Sequence, residues 1–428
     1  MDNKAKVQMI KEKGAETRLR HSGMSCVVYE CKFDVSHLSK EKERYLNKLF
    51  LEAKWLYNDI LSQEDLFKYD TKTKVVSVLN KEREPEERKL EVISSQMKQS
   101  IFVRLKDNVI NLSKAKAKGI KVGKLDFKSR VWSIPLVQYQ ATYKINKNYV
   151  TLQGFKKPFN VMGLNQIPSG AEITNATLVK RNNNYYIMVT CFKAKEKRVK
   201  TGKVVGLDFG IRDNITTSDD EVFNIDFPTS IKTRRLQRFL KNKVEFSRNW
   251  NKQKVKIAGS HEETKRKRKD VRNKVVSHLT KMYDVVCFQD ENIHEWQSGL
   301  YGKQVSKSAM GGIISDLKRK SETPVMIDKW FPSTKLCPDC GRKNNIGRND
   351  KVYTCECGYT EKRDLHAARN VRSEGLRVLS VNKGKTGAGA ECISWGSDAR
   401  NACGDSDLYL SVVGASKLEP MRQEAPSL

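Results

Sequence analysis

The chain predicts an α/β domain with a small metal-binding ribbon set into it, preceded by a β-barrel that a helical segment interrupts. Three observations carry this. The runs VVGLDF (204–209) and VVCFQ (285–289) read as buried strands, and each leads into carboxylates. Four of the ten cysteines fall within 21 residues, 337–357. Strand-like segments rich in Val, Tyr and Thr occupy 24–33 and 131–195, with helical periodicity between them.

Taken in order, residues 1–23 are a basic leader without apolar patterning, expected to be mobile. MSCVVYECKF (24–33) alternates and predicts a strand. Leu46, Leu49, Phe50, Ala53, Leu56, Tyr57 and Ile60 then form one helical stripe, with Ser39 as candidate N-cap. A further helix is expected over 84–115, with Ile93, Met97, Ile101, Leu105 and Val109 on one face. Residues 41–115 are therefore expected as a helical domain, and 24–40 with 116–200 as a discontinuous barrel. Asn182-Asn183-Asn184 supplies a hairpin turn in the latter. The lysine- and glycine-rich loop 114–130 suits phosphate contact or plain solvation.

KEKRVKTGK (195–203) is a charged linker. Beyond it, VVGLDFGIRDNITTSDDEVFNI predicts three strands in a meander, the opening of a ribonuclease-H-like fold. Residues 228–280 are basic and helical, expected to break near Gly259, with a second helix over 268–282. A strand into Asp290-Glu291, a helix over 305–320 and the strand PVMIDKWF follow. The α/β domain is thus expected over 201–330 and 358–383, the ribbon over 331–357, and a disordered tail over 384–428.

The net charge of +31 makes a polyanion, nucleic acid above all, the expected partner. No run of about 18 apolar residues suggests a membrane span, and the N-terminus lacks an apolar signal core. Cys26, Cys31, Cys191, Cys287, Cys392 and Cys403 are scattered, as reduced thiols are. The expectation is an intracellular, cytoplasmic protein without a membrane partner.

Cys337 and Cys340, then Cys355 and Cys357 after fourteen intervening residues, have the spacing of a zinc site. Pro338, Gly341 and Gly358 give each pair a turn on which sulfurs can converge. The second pair is C-x-C, one residue shorter than usual, which could strain the site or weaken zinc. Asp208 ends one strand, Glu291 follows another, and Asp364 precedes LHAARN. Carboxylates at strand ends and a helix start can hold two Mg²⁺ ions, one activating water, the other stabilising a leaving 3′ oxygen. Taken singly, each could be a turn residue, a solvated acid or an N-cap. Asp290 competes with Glu291.

These segments resemble the TnpB family of transposon-encoded, RNA-guided DNA endonucleases, related to the compact type V CRISPR effectors. The matching pieces are LEAKWLYNDIL, GKLDFKS, VVGLDFGIRDN, VVCFQDENI, FPSTKLCPDCG and RDLHAARN, spread over about 24–375. The resemblance implies a RuvC-like nuclease domain with catalytic Asp208, Glu291 and Asp364, and prefers Glu291 to Asp290. It implies a wedge barrel, a helical recognition insert, and a zinc ribbon that binds target nucleic acid. It also implies two Mg²⁺ ions and a Zn²⁺, a guide RNA and target double-stranded DNA as partners, and association with the nucleoid when DNA is bound. Cleavage would lie beside a short flanking motif. Besides the short cysteine pair, His366 departs from the family's usual Asn. The alternatives are an RNA-guided regulator without cleavage, a strand-transfer transposase, or a basic RNA-binding protein with structural zinc. Trp55 and Tyr57 could stack on bases, though a core role is the simpler expectation.

Overall fold

A computed structural model gives the fold, and it describes residues 3–385 apart from 81–83, 183, 196–197, 228–229 and 348–349. The expected tail from 384 therefore lies almost wholly outside the described residues. The chain divides after Glu196, within the charged linker, into two compact units.

The first unit opens with α1 (Asn3–Ser22) and β1 (Met24–Phe33). The leader, expected to be mobile, is thus a helix. It lacks an apolar stripe, which is why periodicity gave no signal. Its Ala, Lys, Glu, Gln, Met and Arg content is that of a strong helix former. The end of α1 is tied down: Arg20 and His21 both pair with Glu172, and His21 stacks on Phe192 at 3.8 Å.

α2 (Lys40–Ser62) starts at Ser39, whose side chain accepts the Lys42 N–H. Its expected stripe is buried, and so are Trp55 and Tyr57, which belong to the core. The next segment differs from expectation. β2 (Val75–Leu79) and β3 (Pro85–Lys89) form a hairpin where a helix was expected from 84. PEERK has helix-forming residues, but the alternating VVSVL before it supplies a strand to pair with. α3 (Ser95–Ala117) begins only after a loop. Fully buried Glu52 accepts the N–H groups of Glu91, Val92 and Ile93 in that loop, at 3.1, 2.8 and 2.9 Å. The loop 118–132 is also held: Asn58 on α2 exchanges two hydrogen bonds with the Lys128 backbone, at 2.8 and 3.0 Å.

β4 (Ser133–Leu136), β5 (Tyr143–Asn146), β6 (Tyr149–Leu152), β7 (Phe159–Met162), β8 (Glu172–Arg181) and β9 (Asn184–Ala194) complete the unit. With β1 they make a seven-stranded antiparallel sheet, ordered β4-β8-β9-β1-β7-β6-β5. Its inner face shares one apolar core with α2 and α3.

The second unit begins with the meander β10 (Val204–Phe209), β11 (Ile215–Thr217) and β12 (Val222–Phe223). α4 (Ile231–Lys241) and α5 (Arg248–Met282) follow. The helix break lies at 242–247, not at Gly259. Ser247 caps α5 by accepting the Trp250 N–H. A side chain at Gly259 would meet open space, so that glycine costs only about 1 kcal/mol and the helix runs through it. Next come β13 (Val285–Gln289), α6 (Ile293–Ser298), α7 (Gly302–Ser308), α8 (Met310–Lys320) and β14 (Thr323–Ile327). The single helix expected over 305–320 is split at Ala309, whose φ is 56°. β15 (Val352–Thr354), β16 (Thr360–Lys362) and α9 (Arg363–Lys385) end the described chain.

The main sheet has the order β12-β11-β10-β13-β14, with β10, β13 and β14 parallel. One face packs Val205, Leu207, Phe209, Val286 and Phe288 against α5 and α8. The other face packs Cys287, Val325 and Ile327 against α9. This is a ribonuclease-H-like layer arrangement with a ribbon between β14 and α9. The β15–β16 hairpin carries that ribbon to Lys362, beyond the boundary expected at 357. No helix among the described residues is long and apolar enough to cross a membrane.

Candidate active site and metal centre

α9 crosses the sheet at a point where only glycine fits. A Cβ on Gly206 would lie 2.1 Å from the Ala368 carbonyl oxygen and 2.5 Å from the Arg372 nitrogen. One strand over, Gly375 of α9 sits against Cys287 of β13. Side chains alternate along a strand, so Gly206 and Asp208 share the α9 face. Asp208 lies two residues beyond the crossing on β10. Asp364 lies one helical turn before it on α9. On β13, Cys287 and Gln289 face α9; the strand ends at Gln289, whose carbonyl accepts the Glu291 N–H at 2.9 Å. Asp290 is exposed and pairs with Lys318 of α8 at 2.7 Å.

Electrostatics ties the three candidates together. Asp208 is pushed up to about 8, first by burial, then by the charges of Asp364 and Glu291, with Arg363 opposing. Glu291 is raised by burial and by Asp290, against Lys329. Asp364 is raised by burial and by Asp213, against Arg363 and Arg212. Each is partly open to solvent. Half-buried carboxylates that resist ionisation near one another form a site that favours a cation. They are not drawn into one tight knot. Among the described residues, only the four ribbon cysteines bring three or more ligand atoms within 4.8 Å of one another. Asp213, Arg212 and Lys329 escaped the sequence reading, because GIRDN and DKW look like ordinary turn and loop segments.

The cysteines behave differently. Cys337 and Cys357 sulfurs are 3.6 Å apart, and those of Cys340 and Cys355 are 3.5 Å apart. A tetrahedral zinc with bonds of about 2.3 Å wants sulfurs about 3.8 Å apart. The donor set and spacing fit Zn²⁺, and the C-x-C pair does not prevent it. Gly358, with φ 95°, turns the chain back so that Cys355 and Tyr359 pair across the short knuckle. The Cys357 N–H and the Asn344 amide hold the Cys355 thiol down at about 6, toward the thiolate a metal needs.

A buried polar chain joins ribbon, helix and sheet. Ser333 donates to Gln289 at 2.9 Å. Asn370 of α9 donates to the Ser333 and Leu336 carbonyls at 2.7 and 2.8 Å, and its amide lies 3.1 Å from His366 Nε2. His366 is fully buried and stacks on Tyr353 of β15 at 3.8 Å. The histidine that departs from the family pattern thus fills an aromatic slot against the ribbon. Gln289 is two residues from Glu291, and His366 two from Asp364.

Residues 181–293 match the OrfB_IS605 family model, described as "Probable transposase". Residues 314–371 match the model "Cas12f1-like, TNB domain". A "Putative RNA-guided DNA endonuclease" of Streptomyces pristinaespiralis is 28% identical over 269 residues, 60% of this chain and 67% of that protein. The "Putative RNA-guided DNA endonuclease InsQ" of Escherichia coli K12 is 27% identical, over 49% of this chain and 59% of that protein. "TnpB-like protein L79" of Acanthamoeba polyphaga mimivirus is 26% identical, over 45% of this chain and 41% of that protein. The chain therefore spans between 41% and 67% of the length of these relatives. A cryo-EM structure of the Cas12f1-sgRNA-target DNA complex aligns over 78% of this chain and 83% of that chain, at 12% identity and a TM-score of 0.47. By its two family matches, in chain order, and by these curated relatives, the chain is similar to the TnpB family.

Proposed function

We propose that the chain is an RNA-guided DNA endonuclease whose second unit hydrolyses phosphodiesters at Asp208, Glu291 and Asp364. The supporting observation is Asp208 at the end of β10, its carboxyl pushed up by burial and then by the charges of Asp364 and Glu291. The curated relatives from Streptomyces and Escherichia carry the corresponding name. Asp208, raised by both neighbours, would hold the metal together with Glu291 and Asp364. When bound, two Mg²⁺ ions would supply a water of lowered pKa and charge stabilisation for the leaving oxygen. Oxygen donors that are not clenched together suit Mg²⁺, which keeps several of its waters.

The rest of the chain serves binding. The charge of +31, concentrated in stretches such as α4 and α5, suits the backbone of a guide–target heteroduplex, with pairing rather than protein reading most of the sequence. A short flanking motif in duplex DNA would be read by the protein itself. The ribbon would hold Zn²⁺ through Cys337, Cys340, Cys355 and Cys357.

The test uses protein purified with its co-expressed RNA and DNA matched to that RNA. Wild type should cut when Mg²⁺ is supplied. Asp208→Ala should lose at least about 1,000-fold in cleavage while RNA and DNA binding persist. Uncut matched DNA with wild type, in Mg²⁺, would favour the non-cleaving regulator instead.

A further inference from the structure

We propose that Trp330, with Lys329 beside it, is a stacking platform for an unpaired DNA nucleobase at the carboxylate site; this deepens the nuclease reading above and rests on it. Trp330 is 78% exposed, the most exposed aromatic side chain among the described residues. An indole left in water is unusual, and here it is not the product of a loose backbone. Gln289 donates its amide to the carbonyls of Asp328, Lys329 and Phe331, at 3.4, 3.5 and 3.0 Å. The Trp330 N–H is taken by Asp328 at 2.8 Å, and the Asp290 N–H by the Ile327 carbonyl at 3.1 Å. The loop is clamped on both sides of Trp330 while its ring points away from the core.

The clamp also fixes where the ring stands. Gln289 is two residues before Glu291, so the platform and the carboxylate hang from the same strand end. The Lys329 charge acts on Glu291. Lys329 Nζ lies 4.7 Å from the Trp330 ring centre, a cation–π contact that orders both side chains. A cation and a π-face side by side match one nucleotide: phosphate on the first, base on the second. Stacking ignores base identity, which suits an enzyme whose sequence choice is made by pairing. The next most exposed aromatics, Phe239 and Phe246, flank the α4–α5 break and share no hydrogen-bonded clamp with a candidate ligand.

The experiment uses the RNA-loaded protein and a matched duplex with each strand end-labelled in turn. Trp330→Ala should slow cleavage of at least one strand about 10- to 100-fold, while Trp330→Phe keeps most of the rate. A series of duplexes with a single abasic site walked past the cut should slow wild type at one position and leave Trp330→Ala unaffected there. The label tells which strand supplies the base. Wild-type rates and an unchanged abasic profile in Trp330→Ala would overturn the platform alone. Absence of cleavage by wild type in Mg²⁺ would instead overturn the nuclease reading, and the platform with it.

Discussion

The second unit holds two candidate metal centres built on opposite plans. The cysteine tetrad comes from two knuckles close in sequence, and its sulfurs already stand at bonding separation. The carboxylate trio comes from a strand, a loop and a helix start spread over more than 150 residues, and the charges of Glu291 and Asp364 oppose the ionisation of Asp208. The first is a cage whose geometry the local turns dictate. The second is a set of strained charges that a fold of long-range contacts must hold together. One centre should therefore fail by unfolding locally, the other by losing its alignment.

The largest effect should come from breaking the cage. A structural zinc contributes on the order of 10 kcal/mol to its small domain. Stripping zinc, or making Cys355→Ser, should abolish hydrogen-exchange protection across 336–362. Because Asn370 and His366 bind that ribbon, it should also remove cleavage. Ribbon protection that survives zinc removal would break the contrast. Next is the alignment. Gly206→Ala places a methyl within 2.1 Å of a backbone oxygen, so α9 must shift. The expected cost is about 3 kcal/mol or more, read as a fall in Tm, with cleavage lost even in variants kept folded by low temperature. A Gly206→Ala protein of normal stability would mean that α9 does not lie where it is described.

The smallest effect separates the two centres by pH. Asp208 titrates near 8 in the folded, metal-free protein, against an ordinary 3.8. Between those values the folded state holds a proton that the unfolded state has released. Stability should therefore fall as pH rises from about 4 to about 8. Asp208→Asn removes this term, so it should stabilise the Mg²⁺-free protein at pH 8 by about 1–3 kcal/mol and by less at pH 5. Equal stability of the two proteins at both pH values, by thermal melts, would refute the charge crowding.

The same contrast explains what was legible in the chain. Spacing alone pointed to the cysteines, since their geometry is local. The candidate acids were visible as carboxylates at the ends of apolar runs. Nothing local announced Gly206 as the crossing point of a helix some 160 residues later, or Asp213 as a neighbour of Asp364. Apolar periodicity found α2 and α3, whose stripes meet a core. It missed α1, which has no stripe, and β3, whose charged residues gain their conformation from β2.

One junction has a practical meaning for anyone wishing to splice a reporter or a second catalytic module into this half of the chain. Lys362 closes β16 and Arg363 opens α9 with no residue between them. A graft there would lengthen a coupling that has no slack and drag Asp364 with it. The segment 242–247, between two solvent-rich helices, is the place to cut and paste.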